Sequence, residues 1–375
     1  MKPLHIGLVG SGFMGRSHAH AFRAAAGLFE LPLAPVLECL ADVNEETAAR
    51  AAKGLGFSRS TGDWRKLVAD PAVDLVDIAA PNTLHKPIAL AAIAAGKPVY
   101  CEKPLAPNAS EAKAMVDAAE AAGIPTAVGF NYLKNPMVAL AKEIVESGEI
   151  GEVVSFRGIH AEDYMADPEA PYTWRLDPTG GHGVIADLGS HIISIARFLC
   201  GPIDSVSGQI RTVVAERPVA AGAAEKRKVE VDDEARALVT FASGATGSIE
   251  ASWAAAGRKM TLAFALTGSK GTIEVDHERM NELKLYTAGQ ARGREGFKTI
   301  LAGPDHAFYR EFCPAPGHQL GFNDIKTIEV AALVRALAGG PKFTPDFREA
   351  WEIQGVVDAI VRSARERQWL GLAET

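Results

Sequence analysis

Asp187 and His191 stand four residues apart in the run Gly183-Val184-Ile185-Ala186-Asp187-Leu188-Gly189-Ser190-His191. On a helix starting near Gly183, the two side chains share one face and reach a common ligand. A neutral imidazole next to a carboxylate can take a hydroxyl proton and be stabilised as imidazolium, as oxidation of a carbinol requires. A plain surface Asp–His pair has the same spacing, so the pair alone leaves both readings open. The second chemically equipped stretch is Val99-Tyr100-Cys101-Glu102-Lys103-Pro104, where a short β-branched and aromatic run stops at a charged pair followed by proline. Pro104 biases Lys103 away from helical dihedrals. The expected strand Val99–Cys101 therefore ends in an extended turn that presents Glu102 and Lys103 beyond the carboxyl end of a sheet, where open α/β sheets hold ligands. Glu-Lys-Pro is also a common surface turn.

The elements that would position these residues begin at the N-terminus. The run Leu4–Val9 leads directly into Gly10-Ser11-Gly12-Phe13-Met14-Gly15 and a helix-compatible stretch over 16–26. In such a strand, turn and helix the first glycine permits the tight turn. The second admits a pyrophosphate, and the third lets helix pack on strand, with phosphate charge at the helix N-terminus. A second strand, Ala34–Ala41, ends at Asp42, somewhat further on than the usual spacing of about 20 residues. An acid there accepts hydrogen bonds from ribose hydroxyls and repels a 2′-phosphate, which favours NAD over NADP. Capping of a helix over 45–54 is the structural alternative for Asp42. Strands over 73–79, 99–101 and 125–129 alternate with helices ending near Ala95 and spanning Ser110–Ala122, the pattern of a doubly wound parallel sheet.

Beyond Ile150 the pattern changes. Runs at 153–160, 203–213, 235–241, 246–253, 261–266 and 272–275 read as strands of a largely antiparallel sheet. The charged run 225–234 reads as a solvated connection with no function. The stretch Pro314–Asp324 is rich in Gly, Pro, His, Gln and Asn and suits a binding loop, with Asn323 or Asp324 as a cap for a helix over 325–337. The expected fold is an N-terminal Rossmann domain over 1–127 and an α+β domain over 128–375. That second domain carries a large, mostly antiparallel open sheet and a terminal helix that packs back.

Composition narrows the function classes. The chain has 375 residues, 47% hydrophobic and 23% charged, with a formal net charge of −7. That balance argues against a nucleic-acid or anionic-membrane partner, since both need a basic face. Cys39, Cys101, Cys200 and Cys313 are scattered, as free thiols in a reducing compartment would be. No membrane span and no signal peptide are expected, and the cytoplasm is the expected location.

Taken together, the motifs resemble the oxidoreductases of the glucose–fructose oxidoreductase, inositol dehydrogenase and rhizopine-catabolism type. The matching pieces are Gly10-x-Gly12-x-x-Gly15, Pro81-Asn82-x-x-His85, Gly96-Lys97-Pro98-Val99 running into Glu102-Lys103-Pro104, and Gly129-Phe130-Asn131-Tyr132. Trp174-Arg175, Gly181, Asp187, Gly189 and His191 match as well, and His182 stands where a third glycine is usual. The resemblance implies a catalytic set of Lys103, Asp187 and His191, with His191 as general base. It implies cofactor contacts from the glycine loop, including Phe13 and Met14, and from Asp42, Pro81, Asn82, His85, Glu102 and Lys103. Further cofactor contacts would come from Asn131, Trp174 and Arg175. Substrate contacts would come from Lys103, Arg175, Asp187, His191 and His318, the last from within or across subunits. It also implies a homo-oligomer, most simply a tetramer, built on the outer sheet face. Apolar residues at both parities of 235–241, such as Leu238 and Val239, suit that.

The expected activity is therefore NAD-dependent oxidation of a hydroxyl on a cyclic polyol or sugar, an inositol or an aldose. Two rivals use the same fold: a redox-neutral NAD-dependent glycosidase, and a sugar-sensing regulator that catalyses nothing. A metal site from Asp187, His191 and His182 is set aside, because a cofactor seam accounts for Lys103 without a cation. His18 and His20, two apart on a helix, diverge.

Overall fold

β1 (Lys2–Val9) runs through the glycine loop into α1 (Phe13–Leu28), and the alternation continues to residue 128. It comprises β2 (Leu33–Ala41), α2 (Glu45–Leu55), β3 (Arg59–Thr61), α3 (Trp64–Ala69), β4 (Leu75–Ile78), α4 (Asn82–Ala94), β5 (Val99–Cys101), α5 (Ala109–Ala122) and β6 (Thr126–Val128). The six strands pair in parallel in the order β3-β2-β1-β4-β5-β6. This is the doubly wound order, with its switch point between β1 and β4. β4 is buried at every position, as a strand covered by helices on both faces must be. Asn44, not Asp42, caps α2, accepting from Thr47 N at 2.8 Å. Asp42 is left free to face the glycine loop.

The structure, a computed structural model, describes residues 1–372 and divides into two compact units. The first comprises 1–134 and 321–351, the second 135–320 and the chain from Glu352 on. The second unit opens with α6 (Pro136–Glu146) and β7 (Val153–Ala161). A helical segment then begins as a π-turn over Ile185–Gly189 and continues as α7 (Ser190–Cys200). The segment is largely apolar and mostly buried, and it sits in the core of its unit. β8 (Ile203–Arg211), β9 (Glu216–Pro218), β10 (Lys226–Lys228), β11 (Glu234–Phe241), β12 (Thr246–Ser252), β13 (Thr261–Gly268), β14 (Gly271–Asp276), β15 (Glu282–Thr287) and β16 (Lys298–Leu301) follow.

The chain then forms α8 (Phe322–Leu337), which belongs to the first unit, α9 (Phe347–Glu366), and β17 (Leu370–Gly371). The large sheet has nine strands in the order β16-β15-β14-β13-β7-β12-β11-β8-β17. Among the described residues only β12 and β7 pair in parallel within it, so it is mostly antiparallel, as expected.

Three expectations need correction. The first unit extends to Lys134 rather than ending at 127, and it takes back the segment 321–351. The reason is α8, whose Ile325, Ile328 and Val334 are fully buried, and whose Asn323 accepts from Ser17 Oγ of α1 at 2.8 Å. The run 225–234 is no mere solvated connection: β10 pairs with β9, while Asp232 and Asp233 turn inward. Strands β15 and β16 extend the sheet beyond the runs expected from sequence.

Candidate functional site

Strand register aligns the carboxyl edge of the first unit. Val9 pairs with Ile78, Ile78 with Cys101, and Cys101 with Val128. The residues that follow each strand therefore lie along one edge: the glycine loop, Pro81-Asn82, Glu102-Lys103 and Gly129-Asn131. Gly10 has φ +100, and a Cβ there would stand 2.5 Å from Ala79 O, so only glycine fits between the first two loops. Asp42 joins this edge: its Oδ2 accepts from Ser11 N at 2.9 Å and Ser11 Oγ at 2.5 Å, and its Oδ1 from Val43 N at 2.7 Å. The carboxylate keeps acceptor capacity beyond these bonds. Phe13 is exposed and stacks on Phe322 with centroids 5.6 Å apart.

Two residues expected to contact cofactor are turned inward instead. The His85 ring is buried between two carbonyls, with Nδ1 2.9 Å from Pro104 O and Nε2 2.9 Å from Ala80 O. Burial pushes its pKa down, and the ring braces the turn rather than facing a ligand. The Glu102 carboxylate is likewise committed. Oε1 meets His18 Nε2 at 2.8 Å and Lys326 Nζ at 2.9 Å, and Oε2 accepts from Lys103 N at 3.2 Å.

Behind Glu102 lies a buried polar cluster that sequence reasoning missed: His18, Asp77, Tyr100, Lys326 and Glu329, all 0% exposed. His18 Nδ1 bonds Asp77 Oδ1 at 2.8 Å, and Lys326 Nζ bonds Glu329 Oε2 at 2.7 Å and Tyr100 Oη at 3.1 Å. The Tyr100 hydroxyl donates to Glu329. Burial alone would lower the His18 pKa, but Asp77 and Glu102 raise it to about 9. Burial would raise Glu102, yet Lys326 and His18 hold it well below the usual carboxylate range. The one sequence signal was that His18 and His20 diverge; His18 points inward and His20 outward.

In the second unit the helical segment expected from Gly183 is present, wound as a π-turn where Asp187 sits. Its start is held by Asp232, whose Oδ1 accepts from Gly183 N at 3.0 Å and Oδ2 from Ile185 N at 2.8 Å. A Cβ on Gly183 would stand 2.1 Å from Asp232 O, so the approach requires glycine. Asp187 Oδ2 accepts from Tyr164 Oη at 2.8 Å and Arg175 Nε at 3.2 Å. Burial and the Asp187 charge raise the Tyr164 pKa, so the phenol remains a donor. The Arg175 guanidinium lies 4.5 Å over the exposed Trp174 ring.

His191, buried in the first turn of α7, has the His160 ring 5.5 Å away. His160 is itself held by Leu188 O at Nδ1, 3.0 Å, and Glu162 Oε1 at Nε2, 3.1 Å. Burial, and then His160, lower the His277 pKa to about 4. Tyr164, His160 and Asp232 were not found from sequence. Each lies far along the chain from the group it supports, with no motif to mark it.

His182, His318 and Asp324 sit apart from both groups. His182 Nε2 faces Asp358 Oδ1 at 3.2 Å, so it does not join Asp187 and His191 as a ligand set. His318 is exposed on its loop, and its backbone carbonyl accepts from Tyr309. Asp324 caps α8 by accepting from Gly321 N at 2.7 Å.

The first unit fits a dinucleotide. A Cβ on Gly12 would meet nothing within 4 Å, leaving open space before the first turn of α1. No side chain caps that turn and no acid lies in it. Unclaimed N–H groups and an acid-free first turn suit a pyrophosphate, while Asp42 suits ribose hydroxyls. The match to known proteins agrees. Residues 4–130 match the family model described as an oxidoreductase family with NAD-binding Rossmann fold, and residues 138–274 match the GFO/IDH/MocA C-terminal domain.

The levoglucosan dehydrogenase of Pseudarthrobacter phenanthrenivorans is 39% identical over 100% of this chain and 99% of its own. A solved levoglucosan dehydrogenase in complex with NADH and levoglucosan is 40% identical, with TM-score 0.97 and full coverage of both chains. An NAD-binding oxidoreductase from Klebsiella pneumoniae is 45% identical, with TM-score 0.95 and full coverage of both. With an NAD-binding Rossmann domain followed by the matching C-terminal domain, this chain belongs to the GFO/IDH/MocA oxidoreductase family.

Proposed function

We propose that this protein is an NAD-dependent sugar dehydrogenase that oxidises one hydroxyl of a cyclic, polyhydroxylated substrate, with an anhydro sugar such as levoglucosan first among the candidates. The observation that carries the chemistry is the Asp187 carboxylate, held by Tyr164 and Arg175 four residues before the buried His191. The full-length likeness to levoglucosan dehydrogenase supports the substrate class. Inositols and aldoses remain the other substrates to compare.

In this reading His191 takes the hydroxyl proton as general base, and Asp187 keeps the imidazole oriented and stabilises its cationic form. Tyr164 and Arg175 fix Asp187 by donating to one of its oxygens, which sets the direction of the carboxylate. Lys103 steadies the developing alkoxide. NAD, when bound, supplies the two-electron oxidant. The glycine loop and the α1 N-terminus would hold its pyrophosphate, and Asp42 its adenosine ribose.

The test is NADH formation by purified protein with NAD and a panel of levoglucosan, aldoses and inositols. Steady formation with an anhydro sugar or a pyranose supports the proposal. Glycoside cleavage without net NADH, or sugar binding without turnover, would replace it with one of the rival readings.

A further inference from the structure

The buried cluster behind Glu102 lies in a fold core where apolar side chains would serve. An ion cluster contributes little net stability in such a place, because desolvation of each charge offsets the attraction between them. What it supplies is direction. Two donors from different helices, His18 Nε2 of α1 at 2.8 Å and Lys326 Nζ of α8 at 2.9 Å, converge on Glu102 Oε1. The other oxygen, Oε2, accepts the backbone N–H of Lys103 at 3.2 Å. The carboxylate is seated where a Cβ on Gly129 would stand 2.4 Å from Oε1, so the seat exists only because residue 129 is glycine.

Each donor is fixed in turn from behind. Asp77 holds His18 at 2.8 Å, and Glu329 and Tyr100 hold Lys326 at 2.7 and 3.1 Å. All of these groups belong to the first unit, although Lys326 reaches it only through the returning segment 321–351.

We propose that Lys326 and His18 are positioning residues for the reaction: by gripping Glu102 from inside the first unit, they fix the backbone from which Lys103 projects. The proposal rests on the role given to Lys103 above. It also gives the return of α8 to the first unit a purpose beyond packing. A lysine stem has four rotatable bonds, so its amine can be delivered to a repeatable place only if the backbone it grows from is held. A small misplacement of such a group costs up to about a hundredfold in rate.

A double-mutant cycle on the full chain tests this, with Lys326→Met, Lys103→Met and both together, reading kcat, NADH affinity by fluorescence and thermal melting. The expected result is a loss in kcat of about 10- to 100-fold for Lys326→Met, with NADH affinity within about threefold. In the Lys103→Met background the same change should lower kcat no further, while its effect on melting persists. If Lys326→Met fails to fold, Glu102→Gln takes its place in the cycle. Losses that multiply across the two variants, or wild-type kcat in the folded Lys326 or Glu102 variant, would overturn the positioning role alone. Wild-type kcat in Lys103→Met would overturn both this proposal and the reading beneath it.

Discussion

At the scale of single residues, the central assignment is a base, an orienting acid and a cation. Replacing His191 by Asn removes the proposed proton acceptor. We expect kcat to fall by about 10²- to 10⁴-fold while NADH affinity, measured by fluorescence, stays near wild type, because the glycine loop and Asp42 are untouched. Tyr164→Phe is a milder and cleaner probe. It keeps the ring against Trp253, 6.2 Å between centroids, and deletes only the hydroxyl that donates to Asp187. A misplaced catalytic group costs up to about a hundredfold in rate, so kcat should fall roughly 10- to 100-fold, with a fall in melting that reflects the lost hydrogen bond. An unchanged kcat would remove Tyr164 from the mechanism. Asp42→Ala should raise NADP use relative to NAD, by steady-state comparison of the two cofactors, since it removes the charge that opposes a 2′-phosphate.

At the scale of elements, the helix carrying the proposed base depends on Asp232, which answers two backbone amides at its start. Asp232→Ala leaves both amides buried without acceptors, at about 1–3 kcal/mol each. A clear fall in melting temperature is expected, and activity should fall with it; an unaltered melting curve would show that the start of the segment needs no cap. The buried cluster predicts a pH effect on the first unit. His18 has its pKa raised from 6.5 to about 9 by Asp77 and Glu102, against burial and the neighbouring Lys326. Its contribution to stability is therefore fully present below about pH 6.5 and is lost as pH rises through 9. Melting temperature should decline over that window, and His18→Gln should flatten the decline.

These elements also show what the sequence made legible. The parallel alternation, the glycine loop, the Glu-Lys-Pro turn and the Asp187–His191 spacing are local patterns, and local patterns are readable without a structure. Asp232, Tyr164, His160 and Lys326 act through contacts made across long stretches of chain, which leave no periodicity behind. The charged run 225–234 misled for the same reason. Its lysines and arginine are exposed as expected, but the two aspartates near its end are drawn inward by backbone N–H groups and the Trp253 indole, donors that only the folded chain supplies. His85 and Glu102 were legible as polar residues at the sheet edge but not as buried ones, since long-range packing decides which way such a side chain turns.

At the scale of the whole molecule, the nine-stranded sheet has one face against the α7 segment and another left open. Along β11, Val239 is 1% exposed and Leu238 56%, so the apolar residues at both parities meet different surroundings in one chain. We propose that a second copy covers the open face, giving the homo-oligomer expected from the resemblance. An exposed leucine among Arg157, Arg236 and Glu250 suits an interface with an apolar centre and a charged rim. Leu238→Arg should reduce the mass measured by light scattering after size exclusion, and an unchanged mass would place the interface elsewhere.

The most direct test of the proposed chemistry is the rate of NADH appearance when wild-type protein and the His191→Asn variant are each mixed with NAD and levoglucosan, then with glucose and myo-inositol in turn. A sugar dehydrogenase using His191 as base forms NADH steadily with at least one of these sugars or polyols, and the variant loses that activity almost completely. Equal rates from the two proteins, or no NADH from the wild type with any of them, would contradict the proposed chemistry.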